Sequence, residues 1–189
     1  MILLLATPRS GSTWVAQSLS MIHNVENLNE FFSFKDIPES TALIEKLDYL
    51  DRNPNTLVKC FPAHIKEMQY DARVPFFERA LFKRASKIYV LIRADYTAQC
   101  KSLYLASVSQ VWNGTPQPHQ VIKTDQSEFD LNAQRLQRAY EKLLKYYKDL
   151  DAELIVFEDM KYEDRKYIRP VTWDPEPQIP DFDVRGLFT

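Results

Sequence analysis

Seven consecutive residues carry the densest chemistry in the chain: Thr7-Pro8-Arg9-Ser10-Gly11-Ser12-Thr13. They follow an apolar run and precede a segment with helical spacing. That order brings backbone N–H groups and the positive end of a helix to one point, where Arg9 adds a fork of donors and Ser10, Ser12 and Thr13 add hydroxyls. The chemistry is anion binding, of a phosphate or sulfate. Set against the phosphate-loop pattern G-x-x-x-x-G-K-[ST], Ala6 takes the first glycine position and Ser12 the lysine position, with Gly11 and Thr13 in register. The missing lysine argues against an ordinary ATP-hydrolysing or kinase loop, in which lysine meets the β and γ phosphates. The plain alternative is a glycine turn and helix cap with Arg9 in solvent.

Other reactive side chains stand singly. Lys59 closes an apolar strand, at the edge where α/β proteins bind ligands, so it either serves an anion or is a solvated strand end. His64 titrates near neutrality and is a candidate base, though it stands alone before a helix. Glu158 and Asp159 read as a helix-starting polar turn rather than a metal pair. Cys60 and Cys100 are far apart in apolar surroundings and read as packing residues, and no metal-ligand spacing is found. Tyr96, Tyr104 and Trp112 read as aromatic packing. Arg135, Arg138, Lys142, Lys145 and Lys148 read as a solvated helix face in preference to a polyanion groove.

The elements that must position these residues alternate. Residues 2–6 form a continuous apolar run, the mark of a parallel strand covered on both faces. Residues 12–22 read as a helix with Trp14, Val15, Leu19 and Ile22 on its apolar side and Ser12 or Thr13 supplying oxygens at its start. Further helices are expected at residues 39–50, 74–85 with Pro75 in the first turn, and 95–109; strands are expected at residues 56–61, ended by Pro62, and 87–92. Residues 113–127 read as a loop excursion. Asp130 reads as the cap of a long helix on which Leu136, Tyr140, Leu143, Leu144 and Tyr147 recur, leading to a strand at residues 153–157. Residues 170–189 read as a proline-rich extension on the body. This order predicts a single α/β domain over residues 1–189, three-layered and P-loop-like, with a mainly parallel sheet between helices.

Two segments resemble a known family. T-P-R-S-G-S-T-W, residues 7–14, resembles the 5′-phosphosulfate loop of sulfotransferases that use 3′-phosphoadenosine 5′-phosphosulfate (PAPS), especially the bacterial trehalose-sulfotransferase-like branch. Y-V-L-I-R-A-D-Y-T-A-Q-C-K-S-L-Y-L-A, from Tyr89, resembles that family's 3′-phosphate segment, and L-I-V-F-E-D-M, residues 154–160, is a weaker third match. The resemblance implies sulfuryl transfer from PAPS, leaving 3′-phosphoadenosine 5′-phosphate (PAP). It places Arg9, Ser10, Gly11, Ser12, Thr13 and Trp14 at the 5′ end of the nucleotide and Ser102 at the 3′-phosphate. Related sequences often carry R-R-D where this chain has Arg93-Ala94-Asp95, so the resemblance leaves Arg93 or Lys101 to supply the arginine's charge. It further implies an acceptor hydroxyl on a small carbohydrate or alcohol. Glu30, in Asn29-Glu30-Phe31-Phe32, resembles the family's acceptor-base segment, with His64 as the other candidate, while Arg9 and Lys59 would balance charge on the transferring group and leaving phosphate.

Composition narrows the partners. With 189 residues and a formal net charge of -2, the chain has no general pull toward nucleic acid. Met1 to Ala6 is too short to span a membrane and lacks signal-peptide flanks, so a cytoplasmic protein that binds no membrane and needs no metal is expected. A nucleotide or nucleoside kinase and a noncatalytic nucleotide-binding domain remain the alternatives.

Overall fold

Uninterrupted apolar runs cannot leave a sheet face in water, so each such strand needs helices on both sides. The computed structural model describes residues 1–33, 40–70, 76–112, 120–160 and 171–189. In it, β1 (Ile2–Ala6) is buried along its whole length at the centre of a five-stranded sheet. Parallel partners flank it: β3 (Thr56–Cys60) in register Ile2 to Leu57, and β4 (Lys87–Ile92) in register Ile2 to Lys87. A short β2 (Glu26–Asn27) adds to β3, and β6 (Glu153–Val156) adds to β4, giving the order β2-β3-β1-β4-β6. The fold is therefore α/β with a parallel central sheet between helices.

The strand period of two divides β1 between two cores. Ile2, Leu4 and Ala6 join Leu57 and Leu91 beneath Val15, Ala16 and Leu19 of α1 (Ser12–His23). Leu3 and Leu5 join Val58, Val90 and Ile92 on the other face. There they meet α2 (Ser40–Arg52), α3 (Pro62–Tyr70), α4 (Phe77–Arg84), α5 (Tyr96–Ser109) and α6 (Gln126–Asp149) through residues such as Leu43, Ile65, Leu81, Leu103 and Leu136.

Several local expectations change. Ile22 is 73% exposed, off the apolar side of α1, which ends at Asn24 in the left-handed region (φ 50). Pro62 does more than stop β3: it opens α3, where its missing N–H costs no hydrogen bond. The first residues of the helix expected at 74–85, Pro75 among them, lie outside the described residues, and Phe76 is exposed ahead of α4. Part of the expected loop at 113–127 is regular. Residues 113–119 lie outside the described residues, but β5 (Gln120–Lys123) pairs in parallel with β7 (Val171–Asp174) from the proline-rich tail. The tail also forms α7 (Val184–Leu187), and its Phe182 ring lies 4.9 Å from Tyr96 and 6.1 Å from Tyr140. The last sheet strand stops at Val156, and Phe157–Asp159 make one 3₁₀ turn rather than the start of a helix.

The long helix begins earlier than Asp130. Asp125 is its cap, its Oδ1 accepting from the N–H groups of Ser127 (2.9 Å) and Glu128 (3.2 Å), while Asp130 sits in the helix and accepts from Gln126 Nε2 at 2.7 Å. Among the described residues no helix is long and apolar enough to cross a membrane. Replacing Asp125 by alanine is expected to lower stability by about 1 kcal/mol, the usual value of a cap. Asp130→Ala removes only an exposed neighbour contact and is expected to cost less than about 0.5 kcal/mol. Urea midpoints of the two variants check the order.

Candidate anion-binding site

The central strand delivers its loop to the carboxyl edge of the sheet, where β1 turns into α1. Arg9 adopts φ 61 and Gly11 φ 80, so the chain reverses through two left-handed residues within three positions. Only glycine suits the second. A Cβ on Gly11 would lie 2.2 Å from Cε2 of Phe157, whose ring is also held at 6.4 Å from Trp14 and under the Arg93 guanidinium at 5.7 Å. Gly11 is also the cap of α1 and, lacking a side chain, makes no side-chain cap bond. The cap position expected of Ser12 or Thr13 thus falls to Gly11, and the positive end of α1 lies at the loop. Ser10 turns inward: its Oγ is buried and donates to the Thr7 carbonyl at 2.7 Å. Ser12 is buried beside it.

Arg9 reaches across the site. Its Nε donates to Ser102 Oγ at 2.9 Å and its Nη1 to the Trp112 carbonyl at 2.6 Å, while Arg93 Nη1 donates back to the Arg9 carbonyl at 3.1 Å. The first loop and the segment after β4 therefore meet through Arg9, Arg93 and Ser102. Asp95 caps α5, accepting from the Ala98 N–H. Glu158 fills the place beside Ala94, accepting from the N–H groups of Ala94 (2.8 Å) and Asp95 (3.2 Å) and pairing with Arg93 Nε at 3.7 Å.

Beneath these contacts lies a buried polar chain that the sequence reading missed. Gln99, with no exposure, donates through Nε2 to Thr7 Oγ1 (2.9 Å) and the Pro8 carbonyl (2.6 Å). Its Oε1 receives a short hydrogen bond from the Tyr140 hydroxyl, which accepts from the Arg93 N–H at 3.2 Å. Burial pushes the Tyr140 phenol up to about 12, so it stays a neutral donor at physiological pH. One sequence signal pointed here: Gln99 is the polar member of a helix side that otherwise buries Tyr96, Cys100 and Leu103.

A second group forms where β3 ends. Lys59 is buried, not solvated, and its Nζ donates to Thr13 Oγ1 at 2.9 Å and pairs with Glu30 Oε1 at 3.0 Å. Its ammonium also lies 5.6 Å from the Phe61 ring centre. The Lys59 N–H bonds the Asn29 carbonyl, which fixes the turn that carries Glu30. His64, from the first turn of α3, sets Nε2 3.9 Å from the other Glu30 oxygen, stacks obliquely on Phe61 at 4.8 Å, and buries Nδ1 without a hydrogen-bond partner among the described residues. Burial lowers the proton affinity of His64, Glu30 opposes this, and Lys59 adds to it.

The remaining candidates separate. Lys101 pairs with Glu176 and lies 5.9 Å over Trp173, so its ammonium faces the tail rather than the loop. Tyr96 and Tyr104 are core residues, and Trp112 is 47% exposed. Arg135, Arg138 and Lys142 border a cleft of about 930 Å³ that begins at Pro8, whereas Lys145 and Lys148 lie outside its lining. Among the described residues no cluster of three His, Cys, Asp or Glu side chains is placed to hold a metal.

Fold and site together define an α/β domain with a glycine-containing loop at the carboxyl edge of its central strand. Comparison of the sequence with protein-family models and with curated proteins returned no match to either.

Gln99→Leu strands the Tyr140 hydroxyl, Thr7 Oγ1 and the Pro8 carbonyl, and is expected to cost about 1–3 kcal/mol, read from the urea midpoint. His64 gives a pH effect of definite sign. Its folded value lies below the 6.5 of an ordinary imidazole, so the unfolded chain binds more protons in that window. Stability is full above that value and falls as pH drops through it toward the folded one. Wild type is expected to lose more stability between pH 7.5 and 5.5 than His64→Gln; equal losses would refute the assignment.

Proposed function

We propose that the protein is a PAPS-dependent sulfotransferase acting on a hydroxyl of a small carbohydrate or alcohol. The observation that carries the reading is the 2.9 Å hydrogen bond from Arg9 to Ser102, which joins the two segments that resemble the 5′ and 3′ phosphate grips of that family. The loop N–H groups and Arg9 would hold the sulfuryl group and 5′-phosphate, with Ser102 and Arg93 toward the 3′-phosphate.

The chemistry is an in-line displacement. The acceptor oxygen forms a bond to sulfur as the bond from sulfur to the phosphate oxygen breaks, and the hydroxyl proton passes to a base. Glu30 is the base favoured by geometry, because it stands beside both Lys59 and the start of α1 through Thr13. Lys59 would balance charge that grows on the leaving phosphate. His64, whose proton affinity burial lowers, stands behind Glu30 as the other candidate. Thr13 Oγ1 already receives the Lys59 ammonium, where a magnesium-dependent kinase would need that hydroxyl for its metal. Cys60 and Cys100 are buried and form no disulfide among the described residues, which suits a reducing cytoplasm.

Calorimetry with PAP, ATP and ADP tests the donor. PAP is expected to bind selectively and to weaken in Arg9→Ala, whereas equal or absent binding sinks the reading. Glu30→Gln is expected to keep PAP affinity and to slow turnover by about 10²–10⁴-fold, the usual worth of a positioned base. Unchanged turnover would remove Glu30 from that role.

A further inference from the structure

The cleft of about 930 Å³ runs from Pro8 of the anion loop along α6 to Lys142 and Tyr146. Its volume falls within the range of small-molecule sites, and its floor is apolar, made by Leu103, Leu136 and Ala139. Trp112, 47% exposed, and Phe61 supply flat faces near the loop end. The charges are one-sided. Lys66, Arg135, Arg138 and Lys142 border the cleft, against Glu78 as its acid.

Glu78 is already engaged: it pairs with Lys142 at 3.5 Å and accepts from the Tyr146 hydroxyl at 3.1 Å. Lys66, Arg135 and Arg138 pair with no described residue, and all three are exposed. Positions 135, 138 and 142 fall on one side of the helix and spread charge over about 10 Å of its length. A chain whose net charge is -2 thus concentrates cations beside the loop where the transferring group would sit.

We propose that this cleft binds an acidic sugar chain of a few rings, whose carboxylate or sulfate groups meet Arg135, Arg138 and Lys66 while its ring faces lie on the apolar floor and Trp112. The inference rests on the sulfuryl-transfer reading for the direction of the acceptor, which enters at Pro8 with a hydroxyl toward the loop. Guanidinium forks suit carboxylate and sulfate oxygens, and flat aromatic faces suit the C–H sides of sugar rings. Exposed pairs of this kind are weakened by salt, so binding is expected to fall as ionic strength rises.

The test is calorimetric binding to the full chain of trigalacturonate, of neutral maltotriose with the same number of rings, and of tricarballylate, which has three carboxylates and no ring. Trigalacturonate is expected to bind at least tenfold more tightly than either and to lose that advantage in the Arg135→Ala/Arg138→Ala double variant. Both arginines are exposed, and an unchanged thermal midpoint verifies the fold. Equal affinity for acidic and neutral sugars, binding of tricarballylate as tight as that of trigalacturonate, an undiminished double variant, or no binding of any probe overturns the proposal. PAP titrated separately distinguishes the two readings. Trigalacturonate binding without PAP binding sinks the sulfuryl-transfer reading alone, and PAP binding without acidic preference sinks the cleft assignment alone.

Discussion

The amide of Gln99 is the contact on which the site depends. It lies without exposure between α5 and the first loop, and gives both of its described N–H bonds to that loop, at Thr7 and Pro8. Its carbonyl oxygen is taken by Tyr140 from α6, and the same phenol touches the backbone of Arg93. A buried polar group is tolerated only when its bonds are made, so this chain of contacts has few alternative arrangements. It fixes the height of the loop over the sheet, and thereby where Arg9 finds Ser102.

Lys59 plays the corresponding part on the other side of the loop. A buried ammonium is costly, and the pairing with Glu30 and the bond to Thr13 offset that cost. The result ties the end of β3 to the first turn of α1 and to the turn after β2. Glu30 is consequently held by a cation on one oxygen and approached by His64 on the other. An acid, a cation and an imidazole of lowered proton affinity lie together at the carboxyl edge.

The tail contributes more than a covering. β7 pairs with β5 just ahead of the cap of α6, and Phe182 and Trp173 pack on Tyr96, Tyr140 and Tyr104. Those tyrosines belong to the helices that carry Gln99 and the cationic side of the cleft. Lys101, which sequence alone left open for the nucleotide, is drawn toward Glu176 of this tail.

The sequence by itself determined the parallel sheet and the loop, because both are written in neighbouring residues. Continuous apolar strands demand cover on two faces, and Gly11 after β1 supplies the left-handed turn. Short-range patterns also located α1, α2, α5 and most of α6. Elements whose signal is long-range stayed hidden: β5 and β7 are four residues each and exist through pairing across some fifty positions. The cap at Asp125 rather than Asp130 depended on where that pairing ends, as the Thr124 N–H bonds the Asp174 carbonyl. Tertiary structure likewise decided that Lys59 is buried, that Ser10 faces inward, that Lys101 turns to the tail, and that part of a charged helix side borders a cleft. Residue type states what a side chain can do; burial and the partners that packing brings to it select which of those things it does.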